Sequence, residues 1–262
     1  MTRKIKVGNV YIGGGAPISV QSMCNTKTAD VENTIKQIIS LQNAGCDIVR
    51  FAVNSATDAA AIKEIKNATD IPLVADIQYD YKLAVLSAEN GIDKVRINPG
   101  NIGSDDRIKA VADACRQKNI PIRIGVNSGS LEKDLLKKYG HVTPEALCES
   151  ALRHASLLEK FDFNDIVISI KSSDVPTMVA AYRLVAQQCD YPLHLGVTEA
   201  GTRHMGMLKS AAGIGALLLD GIGDTIRVSL TADPVSEVAA GFDILKAVGI
   251  KKDCPQIVSC PT

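Results

Sequence analysis

The chain has 262 residues, 46% of them hydrophobic, with 29 basic and 29 acidic side chains and a formal net charge of +0. That length can bury one large core, and the balanced charge excludes the overall field that draws a protein to nucleic acid or to an anionic membrane. No apolar run reaches the ~18 residues of a membrane span. The opening Met1-Thr2-Arg3-Lys4-Ile5-Lys6-Val7 is basic but lacks the apolar core of a secretion signal, so a cytoplasmic protein is expected.

The first element is the alternating stretch Ile5–Ile12, ending in Gly13-Gly14-Gly15, which reads as a small hairpin closing one end of the fold. Eight strand-like segments follow: Ile18–Met23, Asp47–Val53, Leu73–Ile77, Lys94–Asn98, Ile122–Asn127, Asp165–Lys171, Leu193–Thr198 and Thr225–Leu230. They are short, rich in Ile and Val, and nearly continuous in apolar character, as a parallel sheet covered by helices requires. Segments with helical periodicity separate them. Thr143-Pro144, Asp174-Val175-Pro176 and Asp233-Pro234 are helix starts, Ser104-Asp105-Asp106 puts acids at a positive helix end, and Gly45, Gly91 and Gly140 stand where helices stop. This alternation predicts an α/β chain folded as a (β/α)₈ TIM barrel. The expected division is a hairpin over 1–17, the barrel over 18–250, and a tail over 251–262.

In such a barrel the functional side chains stand at the C-terminal strand ends. Those positions carry Arg50, Arg96, Arg123, Lys171 and Arg227, each next to a β-branched residue. By strand parity Arg96 shares a face with Asn98, Arg123 with Asn127, and Arg227 with Ser229. Gly125 and Gly196 would leave room in the mouth. Asp76 and Glu199 are the acids at matching positions, too few to neutralise the cations as structural ion pairs. A compact, multiply anionic, diphosphate-bearing ligand is therefore expected, held by arginine forks. Glu199, a carboxylate in a cationic mouth, suits proton transfer or a substrate hydroxyl. His194 shares its face with Gly196 and Thr198 and either lines the site or belongs to the core.

Gly213-Ile214-Gly215 and Gly221-Ile222-Gly223 lack the third glycine of a dinucleotide loop and lie on the wrong side of the barrel; they read as packing and turn glycines. His141, His154 and His204 show no metal-ligand spacing. Cys24, Cys46, Cys115, Cys148 and Cys189 are expected to be buried reduced thiols.

Several stretches taken together resemble a known family: Val20-Gln21-Ser22-Met23, Val95-Arg96-Ile97-Asn98-Pro99-Gly100-Asn101, Val126-Asn127-Ser128-Gly129-Ser130-Leu131, Thr198-Glu199-Ala200-Gly201, Asp220–Leu230 and Val258-Ser259-Cys260-Pro261-Thr262. The chain is similar to the 4-hydroxy-3-methylbut-2-enyl diphosphate synthases, iron–sulfur enzymes of the non-mevalonate isoprenoid pathway. The resemblance implies reductive ring opening of 2-C-methyl-D-erythritol 2,4-cyclodiphosphate, with flavodoxin or ferredoxin as electron donor and a homodimer as the full-length form. It assigns the diphosphate to Arg50, Arg96, Arg123, Lys171 and Arg227, adds hydrogen bonds from Asn98, Asn127, Thr198 and Ser229, and places Glu199 nearest the reacting carbons. The family's 4Fe–4S cluster uses three cysteines and a glutamate in a second domain. Cys260 fits the first of these, with the chain stopping one residue short of the second, so an excised or truncated barrel, unable to turn over alone, is expected; Cys254 does not fit the pattern. Two readings stay open beside it: a pterin-synthase-type barrel acting on a pterin diphosphate without a cluster, and a non-catalytic anion-binding barrel.

Overall fold

The computed structural model describes residues 1–252. The chain opens with an antiparallel hairpin, β1 (Ile5–Val7) and β2 (Val10–Ile12). Val7 and Ile12 pack on Ile48 and Val74 at the beginnings of two barrel strands, so the hairpin closes the N-terminal end of the barrel as its alternation predicts.

The barrel strands are β3 (Ser19–Met23), β4 (Ile48–Ala52), β5 (Leu73–Asp76), β6 (Lys94–Ile97), β7 (Ile122–Asn127), β8 (Ile166–Lys171), β9 (His194–Leu195) and β10 (Thr225–Ile226). They pair in parallel in the order β8-β7-β6-β5-β4-β3-β10-β9, and a parallel bridge between Ile168 and Leu193 joins the two ends of that row into a ring. Val49, Phe51, Val95, Ile97, Ile122 and Ile124 belong to one continuous core shared with the surrounding helices. The residues between them, Arg50, Arg96 and Arg123, take the alternate face and point into the barrel. The expected fold class is the observed one.

The helix starts behave as their chemistry demands. Thr143, Asp174 and Asp233 accept hydrogen bonds from the amides of Ala146, Thr177 and Val235, with a proline in each first turn. Such a cap is worth about 1 kcal/mol. Ser104 precedes the helix Asp105–Gln117 but makes no side-chain cap; Asp105 and Asp106 in the first turn complement the helix dipole instead.

The last two strands are shorter than the apolar runs Leu193–Thr198 and Thr225–Leu230 suggest. A Cβ on Gly196 would stand 2.8 Å from the Arg227 carbonyl oxygen, so the two chains approach more closely there than side chains permit. Beyond it Glu199 turns into the left-handed region with φ 50°, which ends any regular ladder. The two glycine pairs are structural, as expected. Gly213 lies inside the helix Arg203–Leu219, where a Cβ would meet Met178 Cε at 2.7 Å, and Gly223 adopts φ 120° in the turn before β10.

Cys24, Cys46, Cys115 and Cys148 are buried and Cys189 is half-buried, all as free thiols. Burial pushes the first three up to about 12. Among the described residues no helix is long and apolar enough to cross a membrane. Cys254 and Cys260 lie outside the described residues.

Candidate functional site

The C-terminal ends of the strands surround a cavity of about 490 Å³ lined by Met23, Arg50, Asp76, Gln78, Arg96, Asn127, Ser128, Gly129, Ser130, Lys171, Thr198, Glu199 and Arg227. Cavities of about 430 and 560 Å³ also open beside the N-terminal hairpin, but neither gathers guanidinium groups as the mouth does. The mouth therefore stands out by its chemistry and its end of the barrel, not by its size.

Its centre is Asp76 at the end of β5. Arg96 Nη1 lies 3.1 Å from Asp76 Oδ1, and Arg50 Nε lies 3.6 Å from Oδ2. Burial alone would raise the Asp76 carboxyl; Arg50 and Arg96 overcome that and hold it well below the usual carboxylate range. Burial, and after it Arg227 and Arg96, draws the Arg50 guanidinium down to about 10 against the pull of Asp76. The same Nε and the Nη2 of Arg50 also reach the soft Met23 sulfur, at 3.1 and 2.8 Å. On the opposite wall Arg227 Nη2 lies 3.2 Å from Glu237 Oε2, in the first turn of the helix Pro234–Ala247. The same carboxylate accepts the Leu230 amide and the Ser22 hydroxyl.

These pairs leave positive charge over. Six cationic side chains, Arg50, Lys94, Arg96, Arg123, Lys171 and Arg227, point into the barrel, and the carboxylates they meet among the described residues are Asp76 and Glu237. Burial, then Arg50 and Arg96, lowers Lys171 well below its ordinary value. Arg50 Nη1, Arg96 Nε and Arg227 Nε are buried without a protein acceptor. A group offering several oxygens would satisfy these donors and relieve the like-charge repulsion together.

The structure does not bring every expected residue to the cavity. Arg50, Asp76, Arg96, Asn127, Lys171, Thr198, Glu199 and Arg227 line it, whereas Ser229 lines a pocket of about 20 Å³ beneath it, shared with His194 and Gly196. Asn98 does not face the mouth: its Oδ1 accepts the Gly100 amide and caps the helix Pro99–Ile102, and its Nδ2 donates to Ser130 Oγ. Gly125 leaves no open space either, because the Arg96 guanidinium lies directly over it. Arg123 sits one layer below, fully buried, with Nη1 donating to Gln21 Oε1 at 3.3 Å. Lys94 is its equally buried neighbour. His194 is 2% exposed, and burial followed by Arg123 and Lys94 lowers it well below its ordinary value.

Arg123 has no carboxylate partner among the described residues, and its Nε and Nη2 are buried without acceptors. Keeping that charge costs stability in the empty barrel. Arg123→Gln is expected to leave the melting temperature unchanged or raise it; a drop of several degrees would show that the charge is structural.

Sequence reasoning missed Met23, Gln78, the Ser128–Ser130 turn and Glu237. Glu237 carried a signal: the Asp233-Pro234 helix start sets it in the first turn of the helix after β10, at the mouth end. Glu199 gains an observation the sequence could not offer. It is exposed at the cavity edge with φ 50°, a conformation that costs a non-glycine residue energy and collects at functional sites.

The GcpE TIM-barrel domain family matches residues 2–242. The curated 4-hydroxy-3-methylbut-2-en-1-yl diphosphate synthase (flavodoxin) of Clostridium perfringens is 61% identical over 261 residues, covering 100% of this chain and 75% of the relative. The chain belongs to the 4-hydroxy-3-methylbut-2-en-1-yl diphosphate synthase family. The synthase of Ruminiclostridium cellulolyticum is also 61% identical, with 100% of this chain and 74% of that protein covered. Dihydropteroate synthase from Stenotrophomonas maltophilia superposes with a TM-score of 0.67 at 12% identity, covering 94% of this chain and 97% of that one. At that identity the likeness shows the barrel fold alone, so the pterin alternative has a shared architecture and no shared sequence behind it. Among the described residues of this synthase-family barrel, no group of three or more His, Cys, Asp or Glu side chains is placed to hold a metal ion. The described cysteines are free, buried or half-buried thiols in no such group and do not fit a cluster.

Proposed function

We propose that this chain is the substrate-binding barrel of a 4-hydroxy-3-methylbut-2-en-1-yl diphosphate synthase, and that the mouth holds 2-C-methyl-D-erythritol 2,4-cyclodiphosphate. The observation that carries the reading is the unneutralised charge: Lys171 and the free guanidinium nitrogens of Arg50, Arg96 and Arg227 around one cavity. Arginine forks suit phosphate oxygens bidentately, and Lys171 adds a point charge. Asn127 and Thr198 stand on the cavity wall to bond the remaining oxygens or the ring hydroxyls, and Ser229 does so from the pocket beneath. Arg123 and Lys94 act from below as buried charges rather than as contacts.

Glu199 is the acidic group assigned to the reacting carbons. It is exposed at the cavity edge, forms no ion pair with the described residues, and is able to bind a hydroxyl or move a proton at its carboxylate. Reductive removal of a hydroxyl needs two electrons. The barrel would bind and orient the substrate, and Cys260 would be one thiolate ligand of the 4Fe–4S cluster that the family implies, which would supply those electrons. Flavodoxin is the electron donor that the relatives' names carry to this reading, and a homodimer in the cytoplasm is its assembled form.

Arg227→Ala is the direct test. Losing a hydrogen bond to a charged group typically removes about 1.5–3 kcal/mol, so calorimetry with the cyclic diphosphate is expected to read a roughly ten- to hundredfold weaker complex. Unchanged affinity would remove the mouth from the binding site, and tighter binding of a pterin diphosphate than of the cyclic diphosphate would favour the other barrel chemistry.

A further inference from the structure

One wall of the mouth is tied to a helix behind it. The turn Ser128–Ser130 lines the cavity, and Leu131 after it drops into the core. The next residue, Glu132, directs its carboxylate at the helix Pro144–Glu159. Ser150 Oγ donates to Oε2 at 2.7 Å, and His154 Nε2 lies 2.9 Å from Oε1. Burial alone would raise the Glu132 carboxyl, but its contacts with His154 and Ser150 prevail and hold it at about 2. It is therefore a carboxylate across the whole neutral range.

His154, only 3% exposed, also underlies the neighbouring loop. A Cβ on Gly100 would stand 3.2 Å from its Nε2, and Asn98, two residues earlier, donates to Ser130 Oγ at 3.4 Å. The imidazole thus touches the loop after β6 and grips the loop after β7 through Glu132. Neither Glu132 nor His154 lines the cavity, so any effect they have on a ligand must be relayed through the turn. A half-buried pair of this kind adds little net stability once its desolvation is counted; what it fixes is geometry.

We propose that Glu132 and His154 are positioning residues that set the Ser128–Ser130 turn against the Asn98 loop, and so fix the wall on which a diphosphate group closes. The inference rests on the diphosphate reading of the mouth. Its consequence is that His154 and Ser130 act in series rather than side by side.

The test is a double-variant cycle on the 262-residue chain, with inorganic diphosphate as the probe, read by calorimetry beside thermal unfolding. Ser130→Ala is expected to weaken binding about threefold without changing the melting temperature, and His154→Ala about tenfold. His154→Gln, which keeps a donor of similar reach, should recover most of that loss. The Ser130→Ala/His154→Ala double variant should be no weaker than His154→Ala alone, because both changes act through one turn. Additive losses with no rescue by glutamine, or unchanged affinity in a folded His154→Ala, would overturn the positioning role and leave the diphosphate reading standing. If His154→Ala does not fold, Glu132→Gln carries the same cycle. Failure of the unaltered chain to bind diphosphate would overturn the reading of the mouth, and this inference with it.

Discussion

One methyl group at position 125 is expected to displace Arg96 and weaken diphosphate binding as much as removing Arg96 altogether. Gly125 is an ordinary extended residue of β7, so alanine meets no backbone objection there. The obstacle is the Arg96 guanidinium, whose Cζ would lie 2.6 Å from the new Cβ, with Nε and Nη2 closer still. Such contacts cannot persist, and Arg96 must swing away from Asp76. The expected loss is about 1.5–3 kcal/mol of binding free energy, roughly ten- to hundredfold in affinity. The apo protein should also melt lower, because the Arg96–Asp76 contact goes with it. Calorimetry comparing Gly125→Ala with Arg96→Ala checks this. An affinity close to that of the unaltered chain would mean that Arg96 is not a ligand.

Asp76→Asn is expected to have the largest effect on stability. The side chain keeps its shape but loses the charge that Arg50 and Arg96 share, leaving two buried guanidinium groups facing each other. Breaking a buried pair from one side typically costs about 3–5 kcal/mol. Added inorganic diphosphate should restore much of this by linkage, about 2.7 kcal/mol at a hundred times its dissociation constant. The pH dependence has a definite sign. Asp76 titrates lower in the folded chain than in the unfolded one, so its contribution is complete above the ordinary carboxylate value near ~4 and is lost as the pH falls below that toward the folded value. The stability difference between the unaltered chain and Asp76→Asn should therefore be full at neutral pH and shrink in acid. Chemical unfolding across that range measures it, and a difference that stays constant into acid would disprove the pairing.

The eight-strand barrel was legible because its signals are local. Apolar runs such as Ile122–Asn127 and caps such as Thr143-Pro144 act over a few residues, and the structure places them where the sequence does. β9 and β10 fell short of their runs because a tertiary contact, Gly196 against the Arg227 carbonyl, decided the matter. Strand parity made the site legible where the strand stays regular to its end, as at Asn127 on β7, and strand-end position did so for Arg50, Arg96 and Lys171. Parity failed at Asn98, where the chain leaves β6 and the side chain turns to cap the next helix. It also cannot report depth: Arg96 and Arg123 stand at paired positions of adjacent strands, yet the tilt of the strands puts one at the mouth and the other beneath it. Gly125 looked like empty space for a ligand and is instead the floor on which Arg96 lies. Glu132 and His154 had no readable signal, since their roles arise only when a loop and a helix distant in sequence are brought together.

The most direct measurement of the central claim is a titration of 2-C-methyl-D-erythritol 2,4-cyclodiphosphate into the 262-residue chain by calorimetry at low and at physiological salt. A cationic mouth predicts one site per chain and an affinity that falls clearly as ionic strength rises, because added ions screen the attraction. Absence of binding, or binding indifferent to salt and to Arg227→Ala, would contradict it.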